Sequence, residues 1–78
     1  MSMTHILQKI IEPLLVNDSL TVAQLQHQLR TKFAMTVPQK QIFRIVEQSG
    51  DKLDVIHERG RSTVILIPDY RNLINKNK

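Results

Sequence analysis

The chain has no cysteine, so neither a disulfide framework nor a thiolate metal site is open to it. That fits a reducing compartment, and it leaves packing alone, or packing plus a partner subunit, to hold the core. Phe33, Phe43 and Tyr70 are the only aromatic residues, which argues against base stacking on exposed rings as a binding mechanism. Glycine occurs twice, at Gly50 and Gly60, and no glycine-rich phosphate loop is present. No apolar run approaches the ~20 residues that span a bilayer, and the opening residues lack the basic-then-apolar order of a signal peptide. A cytoplasmic protein with no membrane partner is therefore expected. Acid is also in deficit, with seven Asp and Glu against eleven Lys and Arg, and the resulting charge of +4 favours a polyanionic partner.

The constellations of catalysis are missing as well. There is no HExxH and no repeated carboxylate–histidine cluster, and the separations of His5, His27 and His57 match no ordinary zinc motif. A 78-residue chain leaves little room for a closed pocket of the ~300 Å³ or more that small-molecule sites need. The expectation is one domain over 1–78, with a core over about 4–67 and a tail over 68–78, no enzyme activity and no cofactor or metal. A domain of this size buries only ~60% of its unfolded surface, so the core must be small and well used.

What is present begins with Thr4–Val16, where Ile6, Leu7, Ile10, Ile11, Leu14 and Leu15 recur at helical spacing with a wide apolar stripe. Pro13 either kinks the last turn of this helix or ends it near Glu12. The stripe suits a central core helix touched from several sides, or in part a dimer contact. After the Asn17-Asp18-Ser19 turn and a short extended Leu20-Thr21, Thr21 and Gln24 have the spacing of a capping box. Val22, Leu25, Leu29 and Phe33 then predict a helix from about Val22 to Phe33.

A third helix is expected within Thr36–Gly50, with Thr36 as N-cap, Pro38 in the first turn and Gly50 in the left-handed conformation at its end. Ile42, Ile45 and Val46 share one side with Phe43 on the flank, and Lys40, Gln41, Arg44, Glu47 and Gln48 fall on the other. That polar face is a solvated surface or, given its long hydrogen-bonding side chains, a surface suited to a nucleic-acid groove. Leu53–Glu58 and Ser62–Ile67 read as two strands of a β-hairpin whose turn, Arg59-Gly60-Arg61, puts two arginines at an exposed tip. Tyr70, Leu73 and Ile74 are spaced for one or two further helical turns, which dock on the first helix, pair with a second subunit or fray. The basic residues fall mostly from Arg30 onward, among them Arg30, Lys32, Lys40, Arg44, Arg59, Arg61, Arg71, Lys76 and Lys78.

The order helix, extended pair, helix, turn, helix and two-stranded hairpin resembles the winged helix-turn-helix family. The likeness covers about Thr4 to Ile67, with TVAQLQHQL as second helix, VPQKQIFRIVEQSG as recognition helix and DVIHERGRSTVILI as wing. It implies an α+β domain of three helices and a two-stranded wing, with a possible short C-terminal helix. It also implies a DNA-binding regulatory protein, a small regulator of copy-control or phage type, whose recognition helix enters the major groove while the wing lies on the adjacent backbone or minor groove. Duplex DNA is then the expected partner ahead of RNA, bound by a homodimer formed through the first helix or the C-terminal tail. Carried over, the site residues are Gln39, Lys40, Gln41 and Arg44 on the helix and Arg59, Arg61 and Ser62 on the wing. Lys32, Lys40, Arg59 and Arg61 would contact phosphates, and Gln39, Gln41 and Arg44 would read base edges. The segment LTVAQLQHQLRTKF followed by IFRIVEQSGDKLDVI also looks like the small LOTUS-type winged domains associated with RNA. Some winged domains serve only protein contacts, so a partner or inhibitor of a larger nucleic-acid enzyme is the remaining alternative.

Overall fold

Leu7 and Ile11, four residues apart, are the buried side chains of the first helix, α1 (Met3–Leu14), and Leu15 just past its end completes the row. The computed structural model of the chain describes residues 3–76, with side chains through Ile74. Lys78 and the side chain of Lys76, two of the basic groups named above, lie outside the described residues. Pro13 is accommodated inside the last turn of α1, and the Leu15 N–H donates to the Glu12 carbonyl at 3.1 Å, tightening the exit.

Leu20–Thr21 form a two-residue strand, β1, and Thr21 then caps α2 (Val22–Phe33). The predicted capping box is present in both directions. The Gln24 N–H donates to Thr21 Oγ1 at 3.1 Å, and the Thr21 N–H donates to Gln24 Oε1 at 3.0 Å. Such a cap is worth about 1 kcal/mol. At the other end Ala34 closes the helix in the left-handed region, with φ 54° and ψ 35°, and its N–H donates to the Arg30 carbonyl at 3.1 Å.

The third helix, α3 (Gln39–Gln48), departs from expectation at both ends. Pro38 rather than Thr36 is its N-cap, in an extended conformation and with no side-chain capping bond. A residue before proline is pushed out of the helical region, so Val37 holds the chain extended and Thr36 falls too early to cap. Val37 is instead a buried anchor, and Gln26 Nε2 on α2 donates to its carbonyl at 2.9 Å, fixing where α3 begins. At the C-terminus Gly50 does not take the left-handed conformation. Ser49 is the cap, its N–H shared between the Ile45 and Val46 carbonyls and its own carbonyl accepting from the Lys52 and Leu53 N–H groups. Four backbone bonds at one residue leave Gly50 nothing special to do.

β2 (Leu53–Glu58) and β3 (Arg61–Leu66) form an antiparallel hairpin in which Glu58 faces Arg61. The loop between them is therefore two residues, Arg59-Gly60, one shorter than the predicted turn. Their φ values of 51° and 75° are those of a type I′ turn, whose twist matches the strands. β1 pairs on the other side of β3, Leu20 with Val64 and Thr21 with Thr63, so the sheet has three antiparallel strands in the order β1-β3-β2 rather than two. β2 is a free edge, where the Val55 N–H donates to the carboxylate of the preceding residue, Asp54, at 2.8 Å.

The last helix, α4 (Pro68–Lys76), opens with Pro68 and Asp69, both suited to a helix N-terminus, and runs longer than the expected one or two turns. It docks on α1: the Tyr70 hydroxyl donates to the Glu12 carboxylate, and Arg71 Nε donates to the Val16 carbonyl at 2.8 Å. Lys52 Nζ stands 5.7 Å above the Tyr70 ring. The described residues thus form an α+β domain of four helices and a three-stranded antiparallel sheet. Ile11, Leu25, Leu29, Ile42, Ile45 and Val64 meet at its centre, and each side chain so buried contributes about 1.5–3 kcal/mol. No helix among the described residues is long and apolar enough to cross a membrane.

Candidate nucleic-acid interface

Burial of Ile42, Ile45 and Val46 fixes the rotation of α3, and it turns Gln39, Lys40, Arg44 and Glu47 to solvent. Those four, with Phe43, line one shallow groove along the helix. A second cleft is formed where the start of α2 meets the hairpin, and Gln24, Gln39, Phe43, Gly60, Arg61 and Ser62 are among the residues lining it. Gln39 and Phe43 belong to both. The two depressions are thus one continuous surface, running from the hairpin tip across the first turn of α3 and along its polar face.

The hairpin is held against α3 by a small cluster that sequence reasoning did not anticipate. The Phe43 and His57 rings lie 6.2 Å apart at 31°, and His57 Nδ1 is 2.9 Å from Ser62 Oγ, on the strand opposite. Phe43, half-buried, is both a core residue and the floor shared by groove and cleft. Its flank position on the helical wheel was the only signal of this double role. Ser62 lines the cleft, and its hydroxyl lies against His57 on the neighbouring strand.

Of the eight residues expected at the site, six share this surface or its tip. Gln39, Lys40 and Arg44 lie on α3, Arg61 and Ser62 line the cleft, and Arg59 is exposed at the turn beside them. Gln41 does not join them. It is half-buried and lines a different groove, with Met3, Met35 and Val37. Lys32 is exposed in the last turn of α2, ten residues or about 15 Å along the axis from the end that lines the cleft. Four cations, Lys40, Arg44, Arg59 and Arg61, therefore stand against Glu47 on this surface, and against Glu58 opposite Arg61 in the hairpin.

A further open groove, between α1 and α4, is lined by His5, Lys9, Glu12, Lys52 and Tyr70 among others and shares no residue with the interface. There Tyr70 has its pKa pushed up to about 12, first by the hydrogen bond to Glu12, then by burial and by the negative charges of Glu12 and Asp51. Among the described residues no three His, Asp or Glu side chains gather as a metal site.

In class, then, the chain is a small α+β domain with a basic helix-and-hairpin surface. Comparison with protein-family models, with curated proteins and with solved structures gave no match.

Proposed function

We propose that this protein is a winged helix-turn-helix domain that binds duplex DNA, with α3 as the recognition helix and the β2–β3 hairpin as the wing. The observation that carries the reading is the continuity of the polar face of α3 with the hairpin cleft through Gln39 and Phe43. A helix presenting Gln39, Lys40 and Arg44 beside a tip presenting Arg59 and Arg61 is a surface that can take base edges and backbone together. In this reading Lys40, Arg59 and Arg61 contact phosphates, Gln39 reads adenine and Arg44 reads guanine. Gln41 and Lys32 stand apart from the surface and are not assigned to it.

Support also comes from the tip itself. A two-residue I′ loop favours Asn-Gly, because both residues need positive φ. Here an arginine occupies the first position at φ 51°. An L-residue held there costs about 1–2 kcal/mol, so a long cation is kept where a small residue would be more stable.

The test is binding of purified protein to mixed-sequence duplex DNA, single-stranded DNA and RNA across a salt series. Three phosphate contacts to duplex predict a log K against log salt slope of about −2.7, and a Lys40→Ala/Arg59→Ala/Arg61→Ala variant should lose most of it. Absence of duplex binding at low salt, or an unchanged slope in the variant, would overturn the proposal. Once a preferred site is selected, Arg44→Ala should lose about 1–3 kcal/mol on it and relax one base pair. An equal loss on every sequence would remove Arg44 from base reading.

A further inference from the structure

Two acids stand beside the helix-and-hairpin surface, and they differ in kind. Glu58 lies opposite Arg61 in the hairpin, whereas Glu47 lines the groove along α3 together with Gln39, Lys40 and Arg44. Helix stability does not account for Glu47. It sits in the last turn of α3, where the helix dipole disfavours negative charge, and that turn holds no basic residue. Arg44 and Lys40 share the groove with it, yet neither is ion-paired to its carboxylate. Arg44 also precedes it in the chain, the less favourable order for a charge pair on a helix. Phosphate contact does not account for it either, because a carboxylate aimed at the DNA backbone is repelled. A residue that breaks a local rule with no structural return marks a functional position.

We infer, on the duplex-DNA reading of this surface, that Glu47 sets specificity by accepting a hydrogen bond from the N4 amino group of a cytosine, on the base pair next to the one Arg44 reads. The three residues from Arg44 to Glu47 advance about 4.5 Å along α3, close to the ~3.4 Å step between base pairs. In the major groove only cytosine and adenine offer an amino donor, and in adenine the N7 acceptor lies beside it. Guanine and thymine present acceptors there and no donor. An ionised carboxylate can only accept, so cytosine is the base edge that receives Glu47 without setting acceptor against acceptor. The same charge weakens binding to every other sequence, so discrimination comes from repulsion of the wrong base as well as attraction to the right one.

Selection of bound duplexes from a random-sequence pool, run with the native chain, Glu47→Gln and Glu47→Ala, reads base preference position by position. The native chain should select cytosine beside the base pair whose preference Arg44→Ala relaxes. Glu47→Gln should move that position to adenine, whose N6 and N7 a glutamine meets with an acceptor and a donor. Glu47→Ala should leave it unselected, with discrimination there falling about five- to 150-fold. Both variants should bind mixed-sequence duplex more tightly than the native chain, and neither should melt at a lower temperature, since each removes a charge the helix dipole disfavours. A native chain that binds duplex but selects no cytosine at that position, or variants that keep the native preference, would overturn the inference and leave duplex binding standing. A clear drop in the melting temperature of Glu47→Gln would show a structural role and overturn it as well. A native chain that binds no duplex at all removes the DNA reading of the surface, and the role of Glu47 with it.

Discussion

Among the described residues two non-glycine residues have positive φ, Ala34 at 54° and Arg59 at 51°, and together they separate backbone strain from function. Each sits where a glycine or asparagine is the more comfortable residue, at a cost of about 1–2 kcal/mol. Replacing Ala34 with Gly relieves that strain but adds unfolded-chain entropy, for a net gain of about 0.5–1 kcal/mol. Arg59→Asn should gain a similar amount, since Asn tolerates the left-handed region while keeping a side chain. For a domain of this size each gain corresponds to a rise in melting temperature of about 3–6 °C. The two variants then part company. Ala34→Gly lies outside the candidate interface and should bind duplex DNA as the native chain does. Arg59→Asn should lose one phosphate contact, shallowing the salt slope by about 0.9 and weakening binding about eightfold at 0.1 M salt. Thermal denaturation and a fluorescence-anisotropy salt series on the same three proteins read both quantities. If Arg59→Asn melts no higher than the native chain, the strain argument fails. If it melts higher and binds equally well, the arginine is not held there for DNA.

Ser49 offers a test of the interior: it is 2% exposed, its Oγ has no hydrogen-bond partner, and its backbone is fixed by four bonds that the side chain does not share. Ser49→Ala should therefore stabilise the fold, by about 1 kcal/mol in urea denaturation, because a buried unsatisfied hydroxyl carries a desolvation penalty of about 1–3 kcal/mol. A clear loss of stability would show that the hydroxyl is satisfied after all. Tyr70, the only tyrosine, can be titrated by phenolate absorbance, with a midpoint near 12 that falls toward 10 in Glu12→Gln. Its folded pKa is raised, so the clasp's contribution to stability is complete below about pH 10 and is lost as pH rises through about 12. Tyr70→Phe should flatten that part of the stability profile, and an unchanged profile would mean the α4–α1 contact is not what protects the phenol.

The helices were legible because their apolar spacing is strong: Val22, Leu25 and Leu29, or Ile42, Ile45 and Val46, admit one rotation of each helix. The capping box was legible for the same reason, being a local pattern with a local mechanism. The ends of α3 were not, because Pro38 acts on Val37 and overrides the capping preference of Thr36, while at Ser49 converging backbone bonds remove the need for glycine. The third strand was missed because two residues carry no periodicity, and β1 exists only by pairing with a partner more than forty positions later. At the site, α3 could be divided into an inner and an outer face, but Gln41 lies near the boundary. Only its packing beside Met3 and Val37 decides which way it goes. Lys32 was grouped by charge, and distance along α2 separates it.

The Asp54 carboxylate on the Val55 N–H has a consequence for how the molecule behaves when crowded. In this hairpin the Glu58–Arg61 closing pair is hydrogen-bonded, so the alternation makes Leu53, Val55 and His57 the residues whose backbone groups point away from β3. A neighbouring strand approaching that border would find its central donor already engaged and a negative charge beside it. The border is thus closed to open-ended, fibre-like growth. Concentrated solutions should therefore stay free of fibres that grow by strand addition.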